Sequence, residues 1–476
     1  MYCIKRLIHL AGSKPVHTGL VSVCKRVTCV IQNISLRSQH NSNEIENDEI
    51  DEAYNELSNE YLGIVAGGHR AFIVQPYIKW GPDKKRNTTP ELQLAEAEAL
   101  VKTLPHWTIV DKVCIPLTSL EKKQLLGEGG LENLKTRIRS QRNVTAIFIS
   151  TYGLKYVQIR ELQTIFSLPI YDRYSIVIQI FHQHAKSREA KLQVALAEIP
   201  YIWKKLNVDE SRNDGAINFI DSRRKILQAR ETKLKNEIKK LKQHRQMLRS
   251  SRQKLGIPSV AIVGYTNAGK TSLIKALTGD SSLEPRNQLF ATLDTTAYEG
   301  RLPSTLKVLY MDTIGFIQDI PATLLEPFVA TFEDAMTADV IVHIYDASHP
   351  DYKAQYTHVQ ETLKNLIHDD RPIINVANKC DLVKQGTVPE DVLAISATES
   401  TGIDLLRQQI EKELLLVTGR STTRIRVRSG SPEAAWLYKE TVVVGAEPDS
   451  EDLQYLIMSV IATEDKLRKF KKFLSQ

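Results

Sequence analysis

The stretch SVAIVGYTNAGKTSLIKALTG, which begins at Ser259, constrains the fold more than any other part of this chain. An apolar run leads into Gly264-Tyr265-Thr266-Asn267-Ala268-Gly269-Lys270-Thr271, and a helix-like run follows from Ser272. This is the phosphate-binding loop in its strand–loop–helix setting. Gly264 and Gly269 are expected to let the backbone wrap close enough for its N–H groups to face phosphate oxygens, with Tyr265, Thr266, Asn267, Ala268 and Ser272 completing the cradle. Lys270 would bring a point charge to the β- and γ-phosphates, and the Thr271 hydroxyl is the candidate Mg²⁺ ligand.

Three further pieces decide which nucleotide. Asp312 ends the strand-like LKVLYMD and opens Asp312-Thr313-Ile314-Gly315, a carboxylate to hold Mg²⁺ through water and a glycine close to the γ-phosphate. Asn378-Lys379-Cys380-Asp381 ends PIINVAN. Asp381 can accept from both N1–H and the 2-amino group of guanine, a donor pair that adenine lacks, while Asn378 and Lys379 brace the base and the loop. Ser396-Ala397-Thr398 ends VLAIS and would present a backbone N–H to the guanine O6. Each piece alone is weak. Four in order, each at the end of a strand, predict a doubly wound, mostly parallel α/β sheet that binds GTP and GDP with Mg²⁺. An adenine-dependent kinase acting on a small substrate fits poorly.

Between the loop and Asp312 lies NQLFATLDTTAYEG, where a first switch loop belongs. Thr292 is the candidate for the hydroxyl that completes the metal shell, with Thr295 and Thr296 as alternatives. The metal set is thus Thr271, Thr292 and Asp312, and the catalytic set Lys270, Thr292, Gly315 and Phe316. Phe316 stands where many such enzymes carry a glutamine that orients the attacking water, and phenylalanine cannot polarise water. Asn267, three positions before Lys270, is a candidate to recruit K⁺ beside the phosphates.

Around this domain, expected at 256–419, the 476 residues divide by pattern. The first 43 contain six Lys/Arg and no acid, the composition of a mitochondrial transit peptide and of a matrix location. An acidic stretch over 44–59 reads as a linker. Residues 60–184 alternate strand-like and helix-like segments, an N-terminal α/β domain with a largely parallel sheet. From 185 to 255 the pattern becomes a long helical hairpin broken at NVDESRNDG. Leu192, Leu196, Ile199, Trp203 and Leu206 line one face of its first arm, which Pro200 is expected to kink. Leu227, Leu234, Leu241 and Leu248 recur every seven residues in the second. Residues 222–254 of that arm carry thirteen Lys/Arg against two acids, while the whole chain carries a net charge of only +7. Such an arm repels itself unless it meets a polyanion, and RNA phosphates supply one, read as backbone and shape. Residues 420–476 form a small α+β unit with a basic tail. No apolar run is long enough to span a membrane, and the five scattered cysteines have neither CxxC pairs nor histidine companions at ligand spacing.

GYTNAGKT, LFATLD, DTIGFI and IYDASHP, taken with SREAKLQVALAEIPY and the basic helix, resemble the HflX family of translational GTPases from about residue 60 to 420. KWGP, TTPELQLAEAEALVKTLP and the basic leader are similar to its mitochondrial branch. The resemblance implies a GTPase, monomeric when free and not a DNA binder, that docks on the large subunit of the mitochondrial ribosome and its rRNA. Its N-terminal domain and hairpin would reach the peptidyl-transferase region, and it would dissociate and recycle ribosomes. The alternative on the same surfaces is a GTP-switched assembly factor for that subunit. On this reading intrinsic hydrolysis is slow, and docking supplies the order that Phe316 cannot. The chain departs from the family at Asp294-Thr295-Thr296-Ala297, where the second position is usually proline. It departs again in the glycine-poor NDGAINFIDS before the basic helix, and at Gly127-Glu128-Gly129-Gly130, which lacks the family's lysine and argues against a second nucleotide site in the N-terminal domain.

Overall fold

The computed structural model describes residues 51–475 apart from 61–67, 83, 86, 142, 211–216, 294–295, 319–327, 329–336, 368–370, 385–388 and 390–391. The leader at 1–43, the alternative switch residue Thr295 and the side chain of Leu248 lie outside the described residues.

Strands β1 (Arg70–Ile78), β2 (Thr108–Leu117), β3 (Ala146–Ile149) and β4 (Ile170–Asp172) form a parallel sheet in the order β2-β1-β3-β4. β1 and β3 are nearly continuous apolar runs because helices cover both faces, as parallel crossovers require. Helices Glu128–Ser140 and Tyr156–Phe166 cover one face; Pro90–Thr103 and Arg173–His184 cover the other. Local chemistry sets the helix starts. The Thr89 side chain accepts from Leu92 N, with Pro90 in the first turn, and Asp172, 1% exposed, accepts from Ser175 N at 2.9 Å.

The hairpin consists of helices Arg188–Glu210 and Ile217–Leu255. The first runs through Pro200 as one helix. Both of its faces are buried. Ala190, Val194, Ala197 and Tyr201 pack toward helix Arg173–His184, while Ile199, Ile202 and Leu206 meet Leu227 and Leu234 of the second arm. Leu192, Leu196 and Trp203 pack at the margin of that seam, as the periodicity predicts, and Leu241 is half-buried.

Residues 51–60 are helical, where composition alone reads a linker. Tyr54 and Leu57, 2% and 4% exposed, insert into the hairpin seam. Asp51 pairs with Arg230 and Lys233, and Glu60 with Arg223. Two apolar residues three positions apart hold this acidic segment against the basic arm, too short a period to stand out among its charges.

The second large sheet has the order β10-β9-β8-β5-β7-β6, built from β5 (Ser259–Gly264), β6 (Thr296–Arg301), β7 (Lys307–Asp312), β8 (Val340–Asp346), β9 (Ile373–Asn378) and β10 (Leu393–Ala394). All pairs are parallel except β6 with β7. The strand order reverses direction beside β5, which opens a crevice at the carboxyl ends where the motifs fall. The first sheet's core continues into this one. Phe181 packs edge-on against Phe290 and Phe328 at ring-centroid distances of 4.8 and 5.1 Å, so both halves share one cluster. Strands β11 (Arg420–Arg428), β12 (Val442–Pro448) and β13 (Tyr455–Thr463) form a separate antiparallel sheet, β11-β13-β12, packed on helices Pro432–Glu440 and Glu464–Leu474. Among the described residues no helix is long and apolar enough to cross a membrane, and no cluster of His, Cys, Asp and Glu could hold a metal.

Candidate active site

A cavity of about 320 Å³ opens at the carboxyl end of β5. Thr266, Asn267, Gly269, Lys270, Thr271 and Ser272 line one wall, the switch segment Pro285–Thr292 a second, and Gly315, Lys379 and Thr398 the remainder. The two loop glycines serve different ends. A Cβ at Gly264 would come within 2.1 Å of the Ile344 carbonyl oxygen, so this glycine answers to strand packing against β8 rather than to phosphate. Gly269 has φ +96° and would put a Cβ 2.3 Å from Asn378 Nδ2; here the loop requires both the left-handed backbone and the missing side chain. Nor does every loop N–H face the cavity. Thr266 N donates to Phe316 O at 2.8 Å and Phe316 N to Gly264 O at 3.1 Å, which extends the sheet past Asp312.

The Lys270 ammonium is buried and donates to the carbonyls of Tyr265 at 3.0 Å and Gly264 at 3.3 Å. Burial pushes its pKa down to about 8, and the Asp312 carboxylate opposes that shift. Thr271 Oγ1 lies 2.8 Å from Asp312 Oδ2, Thr292 Oγ1 3.0 Å from the same oxygen, and the two hydroxyls are 3.2 Å apart. The three predicted metal ligands therefore meet at one point. Asp312 is 1% exposed, burial raises its pKa, and its other oxygen, Oδ1, has no hydrogen-bond partner. An unpartnered, buried carboxylate oxygen beside two hydroxyls is the donor set of a hard divalent cation, so these residues fit Mg²⁺. Thr296, one alternative to Thr292, instead sits in β6 with its hydroxyl on Tyr298 OH at 3.1 Å.

On the base side Asn378, 2% exposed, donates to Ala268 O at 2.9 Å and accepts from Ala397 N at 3.0 Å. Lys379 has φ +62° and its ammonium is held by Asp346 Oδ2 at 2.7 Å. Ser396 is buried with its hydroxyl on Thr398 Oγ1 at 3.2 Å, and Asp381 stands exposed on the short turn Cys380–Leu382. Asn267, at φ +62°, donates to Asn287 Oδ1 at 2.7 Å.

Several predicted site residues face elsewhere. The Thr313 hydroxyl donates to Ile262 O at 2.7 Å, and Ile314 is buried in the core. Tyr265 turns away from the cavity: its hydroxyl donates to Glu96 Oε2 at 3.0 Å and accepts from Gln318 N at 2.8 Å. Phe316 is 4% exposed inside the shared core, so its side chain is a packing element and not a wall of the cavity. Sequence reasoning missed Arg286, Asn287 and Gln288 in the second wall, and Asp346 as the anchor of Lys379. The basic Arg286 beside a polar switch loop was the available signal.

This geometry has counterparts among known proteins. A family model described as "50S ribosome-binding GTPase" matches residues 259–379, one described as "GTP-binding GTPase Middle Region" 184–252, and one described as "GTP-binding GTPase N-terminal" 91–182. "Putative GTP-binding protein 6" of Xenopus laevis is 38% identical over 88% of this chain and 82% of its own length. The Homo sapiens protein of that name is 36% identical over 92% and 87%. "GTPase HflX" of Lacrimispora saccharolytica is 35% identical over 67% and 78%. With likeness of this extent across all three segments, and a guanine-nucleotide loop at the center, the chain belongs to the HflX family of GTPases.

Proposed function

We propose that this GTPase docks on the large subunit of the mitochondrial ribosome through its basic hairpin and uses GTP to dissociate and recycle ribosomes. One observation carries the reading. The long arm Ile217–Leu255 buries Leu227 and Leu234 against the other arm and leaves Lys225, Lys235, Lys239 and Lys240 exposed. A rigid cationic probe of this kind suits rRNA phosphates. The basic, acid-free leader supports mitochondrial import.

Within the site, Lys270 would move from the loop carbonyls to the β- and γ-phosphates, and Asp381 would read guanine while Asn378 and Lys379 hold the two loops together. Thr271, Thr292 and Asp312 would hold Mg²⁺, which when bound neutralises charge on the phosphates. Asn267 remains the candidate for a K⁺ site. Thr292 reports the γ-phosphate, and Phe290, two residues before it, packs on Phe181, while its carbonyl accepts from His184 Nδ1 at 2.6 Å. The helix bearing Phe181 and His184 ends four residues before the hairpin begins, a short route from nucleotide state to the RNA probe. With no polar side chain at position 316, ordering of the attacking water falls to the docked subunit.

Sedimentation of mitochondrial monosomes with this protein tests the reading. Free subunits should appear with GTP, and hydrolysis should accelerate on addition of large subunits. Binding to free large subunits without monosome splitting would move the reading to a GTP-switched assembly factor; binding to neither would end it.

A further inference from the structure

A second cavity, about 500 Å³, lies in the N-terminal domain at the carboxyl ends of β1 and β3. The strand order β2-β1-β3-β4 reverses between those two strands, the place where open parallel sheets bind ligands. Two buried polar side chains in its wall are incompletely satisfied. Gln75, 4% exposed, donates from Nε2 to Pro76 O at 3.0 Å and Gln93 Oε1 at 3.2 Å, but its Oε1 has no partner. Thr151, 7% exposed, has no partner for its hydroxyl. Leaving such groups unpaired is costly, and a ligand with matching polar groups removes that cost.

The rim adds aromatic surface and positive charge. Lys79 and Lys84 line the cavity, and their ammoniums lie 5.9 and 5.6 Å from the ring centroid of Trp80, which is 76% exposed. Tyr152, 53% exposed, lines the opposite strand end. Exposed rings beside lysines, with polar acceptors behind them, are the elements of single-stranded nucleic-acid recognition: stacking, phosphate contact and a base-edge reader. β1 is followed by Lys79-Trp80-Gly81-Pro82, not by a glycine-rich loop into a helix, and at the start of helix Pro90–Thr103, which also lines the cavity, the Leu92 N–H is already taken by the Thr89 hydroxyl. We propose that this cavity takes one unpaired nucleotide of an RNA chain, its base stacked on Trp80, its edge met by Gln75 and Thr151, and its phosphates by Lys79 and Lys84. The proposal rests on the reading of the chain as an rRNA-docking factor and gives that docking a base-dependent contact, where the hairpin reads only backbone.

The test uses the full chain and fluorescein-labelled RNA, one strand alone and the same strand in a duplex, with anisotropy as the readout. The single strand should bind more tightly than the duplex. Trp80→Ala should weaken single-strand binding about tenfold and leave duplex binding unchanged. Thr151→Val, which keeps the side-chain shape, should weaken single-strand binding without lowering the melting temperature, and GTP hydrolysis without ribosomes should stay at the wild-type rate in both variants. Unchanged single-strand affinity in Trp80→Ala overturns the proposal, as does displacement of the strand by free AMP or ATP, which would make this a mononucleotide site. A wild type that keeps its single-strand preference yet fails to sediment with large subunits overturns the proposed function and leaves the pocket standing.

Discussion

Asn378 donates from its side-chain amide to the carbonyl of Ala268, 110 positions away in the chain, at 2.9 Å. Its other side-chain atom accepts from Ala397 N at 3.0 Å, so one buried residue clamps the phosphate loop to the loop on the base side. Asn378→Ala removes both bonds and strands two backbone groups, at about 1–3 kcal/mol each. We expect at least tenfold weaker binding of fluorescent GDP and a lower melting temperature. Unchanged affinity would mean the clamp does not organise the site.

Phe316→Gln looks like a repair of the catalytic apparatus when judged by sequence, but the buried position predicts otherwise. Placing an amide in the apolar cluster that joins the two sheets forfeits packing and hydrogen bonds together, at about 2–4 kcal/mol. The variant should melt earlier and hydrolyse GTP no faster without ribosomes, while Phe316→Leu should stay close to wild type in both. A faster basal rate in Phe316→Gln would show that the side chain reaches the water.

Removal of residues 1–60 should have opposite effects on stability and RNA affinity. The burial of Tyr54 and Leu57 is lost, worth about 3 kcal/mol in all. Arg223, Arg230 and Lys233 are released from Glu60 and Asp51. Each released cation that reaches a phosphate steepens the salt dependence by about one unit, so duplex RNA titrations at several salt concentrations should show tighter, steeper binding. Equal slopes before and after truncation would assign the helix a purely structural role.

His343, fully buried on β8, lends the fold a pH dependence. Burial lowers its pKa to about 4, against the hydrogen bond to Asn375. Below about pH 6.5 the unfolded chain binds a proton there that the folded chain refuses until about pH 4. The contribution is therefore complete above pH 6.5 and is lost as the pH falls toward 4, about 3 kcal/mol in total. Urea titrations of wild type and His343→Gln across that range should show a shallower decline in the variant.

The nucleotide site was legible because its demands are local. Gly269 needs a positive φ, Thr271 follows Lys270 at the start of a helix, and Asp312, Asn378 and Ser396 each end an apolar run, so residue type and order suffice to place them at one sheet edge. Roles that depend on which way a side chain turns were not legible. Tyr265 and Phe316 flank residues that line the nucleotide cavity, yet Tyr265 is drawn away by Glu96, over a hundred positions upstream, and Phe316 by an apolar cluster assembled from both sheets. Composition likewise could not distinguish a linker from a helix at 51–60, because the charges that pair with it sit on Arg223, Arg230 and Lys233. By itself, then, the sequence determined a parallel sheet that presents a guanine-nucleotide loop and a cationic arm, since periodicity and backbone conformation are properties of neighbouring residues. The tertiary structure alone decided which side chains face the nucleotide and which join the core, since burial is settled by contacts between segments far apart in the chain.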